Sequence, residues 1–502
     1  MTEELQRNLS YVNQVLTNAE TYDHAVRIIN YDQETICPPK AMEEQGHVMA
    51  VLQNQAFRLR KDPEFIRAGE YLFQHIEELG DFDQALAKSL HRDYLRTKHI
   101  TPELQHEFDA TYNQAFIDWL NAKKQSDFSV FAPSLQKVRD VTAQQIRLRE
   151  EAKPVPYDNL LDDYEPGIDS ALLDQTFAKC RDRLVPLLRR IEQSPKKIRT
   201  DFLSRPVTDE QQRQMTDYLL DVIGFDKTRG SWTLTEHPFT DGLWADDNRI
   251  TTHFDPNAFA SSMFSVIHEG GHALFEMMQP RENYAHHIFM NKTMGMHESV
   301  SRFYENRLGR SRAFVHLIYP KTREIFPQAM EDVSEEELYE ALNVVQPSLI
   351  RTEADEFTYT FHIMIRYELE KLIVNTDVKT EDLPGLWNRK YEEYLGIWPA
   401  NDREGILQDV HWSEGFGYFF SYAIGNMYNA MYYNRMKEDL DVDTHVRSGD
   451  FGTINKWMAD HVFKKADRKD SMTWIREITG RDFTPDDFLD YLEEKYSALY
   501  EL

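Results

Sequence analysis

The chain of 502 residues carries 57 basic and 85 acidic residues, a formal net charge of −28, which argues against nucleic acid and anionic membrane as partners. Its two cysteines, Cys37 and Cys180, are too few for a disulfide framework. The N-terminal run Met1-Thr2-Glu3-Glu4-Leu5-Gln6-Arg7 lacks a basic region followed by an apolar one, and no uncharged apolar run reaches membrane-spanning length, so a reduced, cytoplasmic setting is expected.

Glycine and proline are sparse, 20 each, and long amphipathic stretches dominate. The apolar spacing predicts helices over 101–125, 130–152, 170–194, 209–223, 334–345, 349–374 and 483–500, with Ser334-Glu335-Glu336-Glu337 as a capping box. Loops are expected at 153–167, 194–205 and 227–230. Two β-prone runs, Ser231–Thr235 and Arg249–His253, bracket a further loop and read either as a small hairpin or as an edge able to pair with an extended peptide. There is no repeat, low-complexity tract or flexible linker, so residues 1–502 are expected to form one large, mainly α unit.

The most informative segment is Val266-Ile267-His268-Glu269-Gly270-Gly271-His272-Ala273-Leu274-Phe275-Glu276. Histidines at i and i+4 lie on one helix face and can reach a single zinc ion, and Glu269 between them can take a proton from a water activated by that metal. The helix is apolar nearly all round, so it is expected to be buried. Burying a carboxylate and two imidazoles without partners costs several kcal/mol, a cost that a metal removes. The bland alternative is a core helix whose histidines satisfy carbonyls. Gly270 and Gly271, each worth about 1 kcal/mol less than alanine in a helix, predict a close neighbour. Glu276, four residues after His272, can hold that ring through its second nitrogen or serve as an ordinary helical ion-pair partner.

Catalytic zinc takes three protein ligands. The downstream candidate is Met296-His297-Glu298-Ser299, where His297 and Glu298 point about 100° apart on a helix, so only one faces the metal. Within 349–374, Arg351, Asp355, His362 and Arg366 share roughly one face. That stripe is either a solvated face with an Arg351–Asp355 ion pair or a groove wall where an arginine fork grips a carboxylate. Gly405–Trp412 followed by Phe416–Tyr422 offers His411, Tyr418 and Tyr422 as hydrogen-bond donors to an oxyanion, against core packing as the alternative.

Taken together these motifs resemble the carboxypeptidase Taq family of thermostable zinc metallocarboxypeptidases. The matching segments run in order: Asp247-Asn248-Arg249-Ile250-Thr251, His268 to His272, His297-Glu298-Ser299, Ile350-Arg351-Thr352-Glu353-Ala354-Asp355, and Gly405 to Trp412, joined by Tyr31–Thr35 with Pro38-Pro39 and by Leu160–Gly167. The resemblance implies a large, mostly helical gluzincin-type fold with a deep substrate groove and a homodimer, and the two β-prone runs just before the zinc helix add a small β-sheet beside it. It implies one Zn2+ per subunit, with Co2+ or Mn2+ as alternatives, and release of single C-terminal residues from peptides with broad specificity. Carried onto this chain, it makes His268, His272 and Glu298 the metal ligands, Glu269 the general base, Arg351 the contact to the substrate carboxylate and His411 a transition-state donor. Arg249 then shapes or closes the groove. Val300, the short stretch between Trp412 and Phe416, and Phe420 depart from the family pattern and leave the donor tyrosine open between Tyr418 and Tyr422. Two rival readings remain: a zinc oligopeptidase or dipeptidyl carboxypeptidase of related fold, and a catalytically silent peptide-binding scaffold.

Overall fold

In the computed structural model, which describes residues 1–502, four helices come first: Glu3–Thr35 (α1), Met42–Arg60 (α2), Pro63–Gln74 (α3) and Asp81–Thr97 (α4). Hydroxyl and carboxylate caps open two of them, with Thr2 accepting from Leu5 and Asp62 accepting from Glu64 and Phe65, which satisfies donors that the first helical turn leaves orphaned. These helices close on a small core of their own, 12 buried residues that include Leu5, Val12, Phe65, Leu72 and, from a distant loop, Ile288.

Pro102–Gln125 (α5), Ala132–Arg147 (α6), Pro156–Tyr164 (α7), Ser170–Gln193 (α8) and Asp209–Ile223 (α9) follow. All but α7 lie where the apolar period predicts them. The expected loop over 153–167 instead contains α7. Pro156 stands in its first turn, where a missing N–H costs nothing, and Tyr157, Leu160 and Leu161 bury its inner face.

The sheet also corrects expectation. Gly230–Leu234 (β1) and Asp247–Thr252 (β3) do pair, but in parallel, with Ser231 opposite Arg249. A strand between them in sequence, Thr240–Trp244 (β2), runs antiparallel on the far side of β3, giving the order β1-β3-β2. Parallel partners cannot be joined by a tight turn. The intervening loop supplies β2, whose Thr-Asp-Gly-Leu-Trp sequence mixes strand formers with strand breakers.

Phe259–Met278 (α10) carries the histidine motif. Glu282–Ala285 (α11), Met294–Arg302 (α12), Arg312–Ile325 (α13) and Glu335–Leu342 (α14) come next, with α12 continuing into a π-helical stretch, Phe303–Leu308. Ser334 and Glu337 form the expected capping box at α14. Tyr359–Asn375 (α15), Leu383–Leu395 (α16), Phe420–Asp439 (α17), Val442–Ser448 (α18), Phe451–His461 (α19), Ser471–Thr479 (α20) and Asp486–Tyr500 (α21) complete the chain. The expected helix over 349–374 begins ten residues late, after a 3₁₀ turn at Arg351–Glu353. The Asp355 carboxylate accepts the backbone N–H groups of Gln346, Phe357 and Thr358, so its side chain competes with the helix for backbone donors. The Arg351, Asp355, His362, Arg366 stripe is therefore not one helix face, and Asp355 does not pair with Arg351.

One continuous core of 102 buried apolar residues runs from α5 to α21, and α10, α12 and α17 lie within it. Val266, Ile267, Ala273, Leu274 and Phe275 on α10 are each at most 1 % exposed. Each larger side chain among them stabilises the fold by about 1.5–3 kcal/mol relative to exposure. No helix is long and apolar enough to cross a membrane.

Candidate active site

The glycine pair in α10 explains how a second helix reaches the motif. A Cβ on Gly271 would lie 2.9 Å from Ser301 Cα and 3.3 Å from the Val300 carbonyl, both backbone atoms at the end of α12, and one on Gly270 would meet Ile223 of α9 at 2.5 Å. On the other side of α12, a Cβ on Gly425 of α17 would lie 3.0 Å from both Glu298 Cβ and Ser299 N. Glycines on two flanking helices thus bring α12 against α10 at backbone distance, which fixes where Glu298 points.

His268, His272 and Glu298 present one donor atom each within 4.8 Å of one another. Both Nε2 atoms stand 3.7 Å from Glu298 Oε2. Donors on a tetrahedral metal at about 2.0–2.1 Å are separated by about 3.3–3.5 Å, so a divalent ion fits with a small inward movement. The outer nitrogens of both rings are engaged, which aims the Nε2 lone pairs inward. His268 Nδ1 meets Glu305 Oε2 at 2.8 Å, and His272 Nδ1 meets His297 Nδ1 at 3.0 Å. Glu298 Oε1 accepts from Arg302 Nε at 2.7 Å, leaving Oε2 to face the rings. Burial opposes ionisation of Glu305, but Arg302, His268 and Arg310 hold its carboxyl well below the usual carboxylate range. Burial, together with His268 and His297, pushes His272 well below the ordinary imidazole value, so it stays neutral with a lone pair to give.

Glu269 is 7 % exposed, and its Oε2 accepts from Thr240 Oγ1 of β2 at 2.5 Å. Burial holds this carboxyl above the usual range, against the pull of His268 and the Thr240 hydroxyl. A raised carboxyl beside the donor triad suits a group that must take up and return a proton.

A second cluster adjoins the first. Arg302 lies over the Tyr359 ring at 4.3 Å, and Tyr359 OH accepts from Arg351 Nη1 at 3.2 Å. Asp409 then joins two guanidinium groups: Oδ1 accepts from Arg351 Nε and Nη2 at 3.1 and 2.9 Å, and Oδ2 accepts from Arg366 Nε at 2.7 Å. Burial opposes its charge, yet Arg366 and Arg351 hold Asp409 far below its ordinary value. The His411 ring packs, tilted, 4.4 Å from Phe419 and 5.4 Å from Tyr418, whose ring lies 5.3 Å from Tyr422. Arg351 lies 5.1 Å over the Tyr422 ring. Burial pushes the His411 imidazole down to about 4, with Asp409 opposing and Arg351 and Arg366 assisting.

The family model described as carboxypeptidase Taq (M32) metallopeptidase matches residues 11–496. The chain belongs to this family. Among its relatives, Carboxypeptidase 1 of Bacillus subtilis is 36 % identical over 490 residues, 97 % of this chain and 98 % of that protein. Thermostable carboxypeptidase 1 of Thermus thermophilus is 34 % identical over 486 residues, 94 % of each. The solved M32 carboxypeptidase from Deinococcus radiodurans R1 superposes with a TM-score of 0.94 at 29 % identity, covering 100 % of both chains. Membership in a metallopeptidase family implies a divalent metal, and the His268, His272, Glu298 triad is a site whose donor chemistry accommodates one.

For an M32 protein the arrangement also shows what the motifs leave out. Of the sequence-derived candidates, His268, His272, Glu298 and Glu269 come together around one point. Arg351, His411, Tyr418 and Tyr422 form the adjoining cluster. Arg249 joins neither: Asp247 holds it through paired bonds at 2.9 and 2.8 Å, and it lies 5.1 Å over Tyr31 of α1. Glu276 does not reach His272. It binds His297 Nε2 at 2.6 Å instead. Glu305 and Thr240 go unnoticed in the sequence, while Asp409 lies inside the matched Gly405–Trp412 segment without being singled out. Glu305 leaves a trace there, since it lies seven residues, two turns, beyond Glu298 and so near the same face.

Proposed function

We propose that this chain is a zinc-dependent carboxypeptidase that releases single C-terminal residues from peptides with broad side-chain tolerance. The observation that carries the reading is the donor triad with Glu269 beside it, in a chain of the M32 family. A divalent ion held by His268, His272 and Glu298 supplies Lewis acidity, making a water acidic and a carbonyl electrophilic.

The protein side chains do the rest. Glu269 accepts the proton of the attacking water and returns it to the leaving amine, while Thr240 keeps its carboxylate oriented. His411 is neutral at pH 7 and donates an N–H to the developing oxyanion. Tyr418 and Tyr422 both flank His411, with ring centres 5.4 and 6.4 Å from its own, and either phenol can supply the second donor. Arg351 spends three of its five N–H donors on Asp409 and Tyr359. The remaining donors are free for a substrate carboxylate, and gripping that carboxylate confines cleavage to the last peptide bond. Arg249, set against Tyr31, links the sheet to α1 and shapes the substrate approach.

Peptides are the partners of this reading, a homodimer its assembly and the cytoplasm its place. Time-resolved mass spectrometry of zinc-loaded protein on matched free-acid and C-terminally amidated peptides tests the reaction. The expected result is a ladder of single-residue losses from the free acids and at least about 10-fold slower turnover of the amides, as loss of a charge-assisted contact requires. Release of dipeptides, or equal rates on acid and amide, overturns it in favour of an oligopeptidase. Absence of any hydrolysis by the metal-loaded protein leaves only a binding scaffold.

A further inference from the structure

The two histidines of the motif are oriented in different ways. His268 Nδ1 meets a carboxylate directly, at 2.8 Å to Glu305 Oε2. His272 Nδ1 has no carboxylate partner. Its Nδ1 meets His297 Nδ1 at 3.0 Å, and His297 Nε2 meets Glu276 Oε1 at 2.6 Å. Only one placement of protons makes both contacts hydrogen bonds while leaving His272 Nε2 a lone pair. His272 donates from Nδ1, His297 accepts at Nδ1 and donates from Nε2, and Glu276 accepts. Both nitrogens of His297 are thereby spent, so it is not an alternative metal donor to Glu298.

The far end of this chain is fixed. Glu276 is buried, with Lys292 Nζ 3.5 Å from its Oε2 and Gln279 Nε2 donating to the same oxygen. Lys292 is itself held by Asp467 at 2.9 Å, with its side chain 2 % exposed. The His297 ring lies 5.0 Å from Phe275, which limits its rotation. Glu298 and His297 are neighbours on α12, so one rotation of that helix delivers the carboxylate to the centre and the imidazole to the back of His272. Because α12 is pressed onto Gly271, its register cannot drift without losing both.

We propose that His297 is the positioning residue of His272, and that Glu276 acts on the metal centre through it as the terminus of a Glu276–His297–His272 relay. The proposal rests on the reading of His268, His272 and Glu298 as metal donors. The relay fixes the tautomer and tilt of His272, as Glu305 does for His268. It also places a negative charge where it raises the basicity of the liganding nitrogen.

The test measures zinc affinity by competition with a chromogenic chelator, alongside thermal unfolding of the metal-free protein. His297→Phe keeps a planar aromatic ring and removes both hydrogen bonds, and Glu276→Gln keeps the shape and removes the charge. His297→Phe is expected to weaken zinc about 10–100-fold, the range for such outer partners, and Glu276→Gln about 10-fold. In the double variant the Glu276→Gln loss disappears, because the relay is already cut. A merely packing role would lower the metal-free melting temperature without this pattern. The proposal is overturned if His297→Phe binds zinc within twofold of wild type, or if the two losses add in full. Where His297→Phe does not fold, His297→Asn replaces it. That change leaves an acceptor for His272 but no path to Glu276, so Glu276→Gln must again have no further effect. Wild-type protein that binds zinc no more tightly than His272→Ala sinks the donor assignment itself. Tight wild-type binding with unaffected relay variants sinks the relay alone.

Discussion

Gly271→Ala separates local propensity from tertiary constraint, because the two predict opposite signs. Within a helix the change is worth about 1 kcal/mol in favour of alanine. The added Cβ, however, would stand 2.9 Å from Ser301 Cα, 3.1 Å from Tyr304 Cδ2 and 3.3 Å from the Val300 carbonyl, where ordinary contacts are about 3.5–4.0 Å. Two of those atoms are backbone, so α12 must retreat by about 0.5–1 Å, at an overpacking cost of about 1–3 kcal/mol. The net expectation is a loss of up to about 2 kcal/mol. The same retreat carries Glu298 away from His268 and His272, whose Nε2 atoms already stand 3.7 Å from its Oε2. Zinc affinity is therefore expected to fall on the order of 10-fold or more, since metal sites tolerate about 0.5 Å of misplacement. Denaturant unfolding and chelator competition measure the two quantities. Gly46→Ala on α2 is the control, because nothing lies within 4 Å of its added Cβ, and it should stabilise by about 0.5–1 kcal/mol. If Gly271→Ala stabilises as Gly46→Ala does and keeps wild-type zinc affinity, the account of how α12 is seated is wrong.

Two other outcomes follow from the adjoining cluster. Arg351→Lys keeps the charge but loses the planar fork that binds Asp409 and Tyr359 and, in the proposed reaction, the substrate carboxylate, so kcat/KM on free-acid peptides should drop about 10–100-fold with little change on amidated ones; an equal drop on both would assign Arg351 a purely structural part. His411 gives a pH signature. Unfolded, its imidazole titrates near 6.5, whereas in the fold burial keeps it neutral down to about 4. The unfolded chain therefore binds more protons as pH falls between those values, and the native state loses up to about 3 kcal/mol there and nothing above 6.5. His411→Asn should flatten the stability profile between pH 6.5 and 4 relative to wild type, and parallel profiles would contradict the buried, neutral state of this ring.

Much of this was legible because it is local. Histidines four apart and a capping box at Ser334 depend on helix geometry alone, and the paired glycines announce a close neighbour before it is known. The segment 349–374 misled because its apolar period is real from Tyr359 onward, while Asp355 draws three backbone N–H groups to its own side chain and delays the helix. Extrapolating the period backward created a stripe, and with it an Arg351–Asp355 pair; Asp409, 58 positions from Arg351 in sequence, holds the arginine instead. β2 was invisible because its sequence favours no single state, and it is a strand only because β3 lies beside it. Thr240 on that strand is a site residue by tertiary contact only, and Glu305 within the π-helical stretch has no sequence mark beyond its two-turn spacing from Glu298.

The misreading of Glu276 is the most instructive. Spacing places it one turn beyond His272 on the same face, which is geometrically correct and chemically incomplete. A side chain four residues further along its own helix shares a face with the ring, but it need not reach the back of that ring. Here the helix packed alongside inserts His297 between them. That arrangement requires α12 to lie at backbone distance from α10, an approach that Gly271 permits on the α10 side. The glycine that weakens the helix by local rules is the residue that lets the Glu298 carboxylate arrive in front of His272 and the His297 imidazole behind it.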